Sequence, residues 1–350
     1  MRFLHRFAIL LILGLFLIGI PWMLNHYILS ILILSLYFAY VGQAWNLMMG
    51  YAGQLSLGHA LYVGLGAYIG AGLFVHFALS PWVTALLAFG ITASLGAFIA
   101  WLGFRFGIKG VHFALLTIAF AECARLIFEH WSYFGATAGL FLPVKGGQAM
   151  DLIHLRGQPI LFYYLFLAMV VFLYFFIGRL LHTRLGYFML ALREDQQAAE
   201  SLGIPLLRVK IIAVALSGGT ASLGGLVFAF YQNSLFPDQT FGMARSIEFL
   251  MGPIVGGVGT LLGPIVGAFL LTPMGEGLAY LMDTLNFNVP GLKHLFYGSA
   301  MLLIMVFLPK GIWPTLQRRF ACHSPSLPTS DPMQSVPSAP STAQKNTHVL

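Results

Sequence analysis

The sequence predicts an all-α polytopic membrane helix bundle with about ten transmembrane helices, and three observations predict it. First, 59% of the 350 residues are hydrophobic and only 8% are charged, against about 25% charged residues in an ordinary soluble domain. So few ionisable groups cannot cover a folded chain of this size, and lipid must cover most of it. Second, the apolar residues fall in runs close to the roughly 20 that carry a helix across about 30 Å of hydrocarbon. Third, Gly is plentiful, at 39 residues. Membrane helices use small residues to bring backbones together where no hydrophobic effect separates lipid from side chain.

The runs lie at about 7–24, 27–49, 60–79, 82–104, 111–128, 159–181, 209–231, 246–262, 263–283 and 293–308. The first follows Arg2 and Arg6 as a signal peptide would. Ile20-Pro21-Trp22-Met23 offers no small-x-small cleavage site, so the run reads as an uncleaved span. Gly and Pro interrupt the pair at 246–283, and totals of eight or nine spans also fit. With the N-terminus cytoplasmic and strict alternation, most Lys and Arg fall inside, among them Arg105, Lys109, Arg179, Arg193 and Lys210. The outside holds Lys145, Arg156, Arg245 and Lys293, and Arg125 lies within a span. That asymmetry matches the positive-inside rule with both termini in the cytoplasm. Residues 1–320 thus form one transmembrane domain with a long cytoplasmic connection at about 182–210. The Ser/Pro/Thr-rich stretch 321–350 reads as a disordered cytoplasmic tail, too polar to bury a core.

Charge and composition also exclude functions. The net charge of +7 is spread over short loops rather than gathered in a patch, which argues against nucleic acid. Cys123 and Cys322 form no paired framework. No Gly-x-x-x-x-Gly-Lys-Ser/Thr and no metal-ligand spacing occurs, so the chain itself is expected to bind neither ATP through such a loop nor a metal.

Four constellations carry the functional reading. Gly50, Gly53, Gln54, Ser56, Gly58 and His59 lie in one stretch between the second and third runs. Such a stretch is either a tight cytoplasmic turn or backbone unwound at membrane depth, which glycine permits where the freed groups line a cavity or face protein. Gly252-Pro253-Ile254-Val255-Gly256 is echoed by Gly263-Pro264-Ile265-Val266-Gly267. Gly every fourth residue makes a close-packing face, and Pro offers a broken helix. Glu122 and Arg125 share a helix face, about 16 Å into the fifth run at 1.5 Å per residue. There they form either an internal ion pair or part of a substrate path, because a lone charge costs at least about 2.5 kcal/mol. Finally, Arg193 to Gly203 reads as a short helix ending at a Gly cap. It is either a solvated surface helix or a knob on which a soluble partner docks.

Gly50-Tyr51-Ala52-Gly53-Gln54-Leu55-Ser56-Leu57-Gly58-His59-Ala60 resembles the signature of the branched-chain amino acid permeases of bacterial ABC importers, M type. Lys109-Gly110-Val111-His112-Phe113-Ala114 with Thr117 and Glu122, Thr183-Arg184-Leu185-Gly186, Arg193-Glu194-Asp195, Gly256-Gly257-Val258-Gly259-Thr260 and Leu308-Pro309-Lys310-Gly311 follow in order. The resemblance covers roughly residues 35–315. It implies a multi-pass subunit in the bacterial inner membrane that is not itself an enzyme and binds no cofactor. Its implied partners are a second homologous permease, two cytoplasmic ATPases that use the ATP, a periplasmic binding protein and membrane lipid.

On the same footing, Arg193, Glu194, Asp195, Ala198, Ala199 and Gly203 would couple to the ATPase, with Gln197 standing where the general importer loop has Glu. Gly135-Ala136-Thr137-Ala138-Gly139 is a weak version of the family's outer Gly-rich stretch. For a zwitterion with an aliphatic tail, the backbone of Gly50–His59 is expected to take the charged ends, and Phe113 and Thr117 to flank the tail. Two rival readings stay open. One is the same type of permease carrying urea, short amides or other amino acids; the other is a stand-alone ion-coupled transporter using Glu122.

Overall fold

The computed structural model describes residues 19–22, 24–143, 155–284 and 311–321, with isolated positions between 295 and 307. The expected spans at 7–24 and 293–308 and the tail at 322–350 lie largely or wholly outside the described residues. Within them the chain is a helix bundle. In order it runs α1 (His26–Asn46), a π-helical turn (Leu47–Tyr51), α2 (Ala60–Phe77), α3 (Pro81–Arg105) and α4 (Val111–His130). Then come β1 (Leu140–Phe141), α5 (Pro159–Leu181), α6 (Arg184–Glu194), α7 (Gln196–Ser201), α8 (Leu206–Gln232) and β2 (Ser234–Leu235). Last are α9 (Pro237–Phe241), α10 (Met243–Gly256), α11 (Gly263–Thr284) and α12 (Ile312–Ala321).

Seven described helices are long and apolar enough to cross a membrane, so the chain is a multi-pass membrane protein. Two sequence expectations are corrected. The run 246–262 does not make a full span: α10 has only 14 residues, about 21 Å at 1.5 Å per residue. Apolarity continues to Leu262, but Gly257 (φ 126) and Gly259 (φ 77) turn the chain back instead. Nor is Arg193–Gly203 one helix. It breaks at Asp195, whose carboxylate accepts from Gln197 N (2.7 Å) and Ala198 N (3.1 Å) and starts α7. Gly203 follows at φ 79, where the helix ends.

Helices α1, α2 and α8 form the centre. Shares of 72%, 67% and 67% of their apolar windows are buried, against 28% for α4 and for α11. The outer helices turn Trp82, Leu86, Leu115, Phe172 and Phe175 outward, as lipid or a hydrophobic partner requires. The α2–α8 contact explains the glycine content. A Cβ on Gly66 would stand 2.5 Å from Ser222 Cα, and one on Gly225 would stand 2.7 Å from the Val63 carbonyl carbon. The backbones touch without side chains between them.

Contacts between connections sort them to two ends. Strands β1 and β2 pair antiparallel, Leu140 with Leu235 and Phe141 with Ser234. They join the segment after α4 to the segment after α8. At the other end the close of α6 meets the close of α1 and the α10–α11 turn. Each successive span therefore reverses direction.

We expect Gly66→Val and Gly225→Val each to lower the midpoint of thermal unfolding in detergent, at a cost of about 1–3 kcal/mol from overpacking. Gly90→Ala, which has open space around it, is expected to leave the midpoint unchanged. Equal midpoints for all three would show that α2 and α8 do not pack backbone to backbone.

Candidate functional site

Residues 52–59, between the π-helical turn and α2, run through the bundle rather than across its end. Gln54, Ser56, Gly58 and His59 are buried, so of the two sequence readings the unwound backbone is the observed one. Several of the freed backbone groups find protein partners. Trp45 Nε1 donates to Ser56 O at 2.8 Å. Leu57 N and Gly58 N both donate to Thr117 Oγ1 at 3.3 Å, and that hydroxyl donates to Ala114 O at 2.7 Å. Ala60 N, at the start of α2, donates to Ser246 Oγ at 3.0 Å. Gly58 must be glycine because its Cα lies against the Thr117 carbonyl of α4.

Part of the Gly50–His59 backbone thus binds protein, and the Gln54 side chain donates to Ala52 O at 2.7 Å. Thr117 is fully buried and holds the break in place, whereas Phe113 stacks on Phe104 with centroids 4.4 Å apart. Neither lines a described cavity. The Ser56 hydroxyl and both His59 ring nitrogens are buried with no hydrogen-bond partner. His59 meets Tyr62 edge-on, centroids 5.4 Å apart.

The Gly/Pro echo serves packing and breakage together. Gly252 and Gly256 of α10 lie against Ala268, Gly263 and Gly267 of α11, and Gly42 of α1 lies against Pro253 and Pro264. Three backbones thereby converge beside the break. The α10–α11 turn is clamped by Asn46 of α1: its Nδ2 donates to Thr260 O (2.9 Å), and its Oδ1 accepts from Gly259 N (2.8 Å).

Charge gathers towards the strand end. An open cavity of about 620 Å³ is lined by Glu122 and Arg125 of α4, Asp238 and Gln239 of α9, Gly242, and Met243, Ala244, Arg245 and Glu248 of α10. Arg125 Nε donates to Glu122 at 2.7 Å, pairs with Glu129 one turn on and stands 3.8 Å from Asp238. Arg245 Nη1 donates to Glu248 at 2.9 Å, and its guanidinium stands 5.9 Å from the rings of Phe38 and Phe228. Glu122 and Arg125 are thus the sequence-read pair, within a larger set. Asp238, Arg245 and Glu248 are not among the sequence-read site residues: Asp238 lies far along the chain from Glu122 and Arg125, and Arg245 reads as part of an outside loop. An ionised group at bilayer depth costs at least about 2.5 kcal/mol when it faces lipid. Five of them line one open cavity, whose wall carries both signs of charge.

The model of the family described as "Branched-chain amino acid transport system / permease component" matches residues 27–305. The high-affinity branched-chain amino acid transport system permease LivM of Escherichia coli K12 is 29% identical over 316 residues, 84% of this chain and 72% of LivM. A probable LivM of Methanocaldococcus jannaschii is 24% identical over 225 residues, 59% of this chain and 61% of the relative. The autoinducer 2 import permease LsrC of Salmonella typhi is 32% identical over 132 residues, 36% of each chain. No solved structure matches. A family model that spans most of the chain, over helices that are apolar outside, settles the relationship: the chain belongs to the permease components of the branched-chain amino acid transport systems.

Proposed function

We propose that this chain is the M-type permease subunit of an ATP-driven importer that carries leucine, isoleucine and valine across a bacterial inner membrane. The match to the permease family over residues 27–305 carries this reading. In it, a periplasmic binding protein delivers substrate at the strand end. A second homologous permease completes the pathway beside the charged cavity. Two cytoplasmic ATPases dock on the segment containing Arg193, Glu194, Asp195, Ala198, Ala199 and Gly203, and they hydrolyse the ATP. The full spans number about nine, with α10 a half-span, and both termini lie in the cytoplasm.

The cavity chemistry suits a zwitterion. The wall carries the acids Glu122, Asp238 and Glu248 with the arginines Arg125 and Arg245, so it offers a partner of each sign to a group that carries both charges. A substrate carboxylate can replace a Glu on an arginine while its ammonium takes the released Glu. Charge stays paired throughout, so the exchange avoids the desolvation cost of an isolated ion. Met243 and Ala244 offer apolar surface to an aliphatic tail. Urea and short amides gain nothing from such an exchange, which ranks them below amino acids. The buried break Gly50–His59 serves as a moving part beside the path rather than as its binding groups.

Uptake of labelled leucine into proteoliposomes holding the full complex is expected to require ATP and the binding protein. Uptake by this chain alone along an ion gradient would replace the reading with a secondary transporter, and equal uptake of urea would replace the cargo. In the same assay Arg245→Gln and Glu248→Gln are each expected to lower leucine uptake about tenfold, or about 1.4 kcal/mol. The double variant should be little worse than either single, because the two groups act as one pair. Additive losses would show that they do not.

A further inference from the structure

The geometry points to Arg193 as the positioning residue that links the cytosolic docking segment to the cavity wall, through the α10–α11 turn and the α10 helix. The inference rests on the function proposed above and goes beyond it. Docking explains why α7 is exposed. It does not explain why the side chain just before α7 reaches back into the bundle.

Three segments far apart in sequence meet at this one guanidinium. Arg193 Nη1 donates to Gly50 O at 2.7 Å. That carbonyl is available because α1 ends in a π-helical turn: Gln54 N, its partner in a regular helix, donates to Met48 O at 3.1 Å instead. A cation at a helix C-terminus also meets the negative end of the dipole. The same guanidinium lies against Gly259 of the α10–α11 turn, at φ 77, where any side chain would collide with it. Backbone meets backbone as well, since a Cβ on Gly53 (φ 66) would stand 3.3 Å from Arg193 Cα. These contacts leave no slack between the docking segment, the buried break and the turn.

Both ends of the link are braced. Below, only Glu194 and Asp195 separate Arg193 from α7, and the Asp195 carboxylate holds two amides of α7. Lys210 at the start of α8 donates to Gln196 Oε1 of α7 at 3.0 Å. Above, Asn46 grips Gly259 and Thr260 from the side of α1. From that turn α10 runs back to Arg245 and Glu248, the two cavity groups within its first two turns. A displacement of α7 therefore reaches the turn through Arg193, and the short helix carries it to the cavity.

The test uses the assembled complex: this chain, its companion permease, both ATPases and the binding protein. Arg193→Ala is expected to lower leucine imported per ATP hydrolysed at least tenfold. Arg193→Lys, which keeps the charge and one donor for Gly50 O, should restore most of that ratio. A direct readout is an environment-sensitive label at Ile247→Cys, on α10, in a background with Cys123 and Cys322 replaced by Ser. Its signal should shift on ATP with vanadate when residue 193 is Arg or Lys, and not when it is Ala. A wild-type ratio and label shift in Arg193→Ala would overturn the link. Loss of ATPase co-purification would also overturn it, assigning Arg193 to docking alone. Should the wild-type complex not import leucine, the proposed function falls, and the label still decides the link.

Discussion

Backbone groups freed inside an apolar bundle have no water to turn to, and that requirement organises the rest of this structure. Unwinding residues 52–59 between α1 and α2 exposes amides and carbonyls at a depth where each unpaired group costs several kcal/mol. The chain answers with side chains drawn from distant segments: Trp45 for the Ser56 carbonyl, Thr117 for the amides of Leu57 and Gly58, and Ser246 for the amide of Ala60. Satisfying the break thus pins α4 and α10 to it. The polar residues of the bundle interior are placed by this demand as much as by any ligand. That is why Thr117, read from sequence as a substrate neighbour, is a structural bracket.

The same demand makes the break a natural hinge. Hydrogen bonds from side chains hold it without the cooperativity of a helix ladder, so it can exchange partners at lower cost than a helix can bend. Ser56 and His59, buried and unpartnered, bear on this point. A buried polar group without a partner is a reservoir of free energy that another arrangement can release. An importer needs two arrangements close in free energy, and a segment with unsatisfied groups in one of them meets that need.

The sequence made the helices legible and left the contacts hidden, for a physical reason. A span is a property of one segment. Residues 159–181 were read as a run and form α5 over the same positions, because length and apolarity alone decide whether a helix crosses lipid. The α10 region broke this rule: Gly257 to Leu262 are apolar yet form a turn, since positive φ at two glycines outweighs hydropathy. Pairs close in sequence were legible too, as Glu122–Arg125 shows. Asn46 with Thr260, Arg193 with Gly50 and Arg125 with Asp238 were not, because nothing in a single sequence marks residues that meet only after folding. Asp195 was readable. An Asp followed by Gln-Gln-Ala-Ala is a helix-start signal, and it was absorbed into a longer helix that the periodicity did not require.

Helix α10 draws these strands together. It is too short to span, so both of its ends lie against protein rather than against both membrane faces. One end is the turn held by Asn46 and Arg193; the other carries Arg245 and Glu248 into the cavity. A full span is anchored by two interfaces and transmits force poorly along its axis. A half-span packed through glycines against α11 moves as a unit with its turn, because backbones in direct contact leave no side chains between them to absorb a shift. Charge placed at its far end then changes position with little change in its own pairing, since Arg245 and Glu248 ride on the same helix. In the proposed cycle the cavity would open to one side or the other while Arg245 and Glu248 stay paired, which is what a charged pathway inside lipid requires.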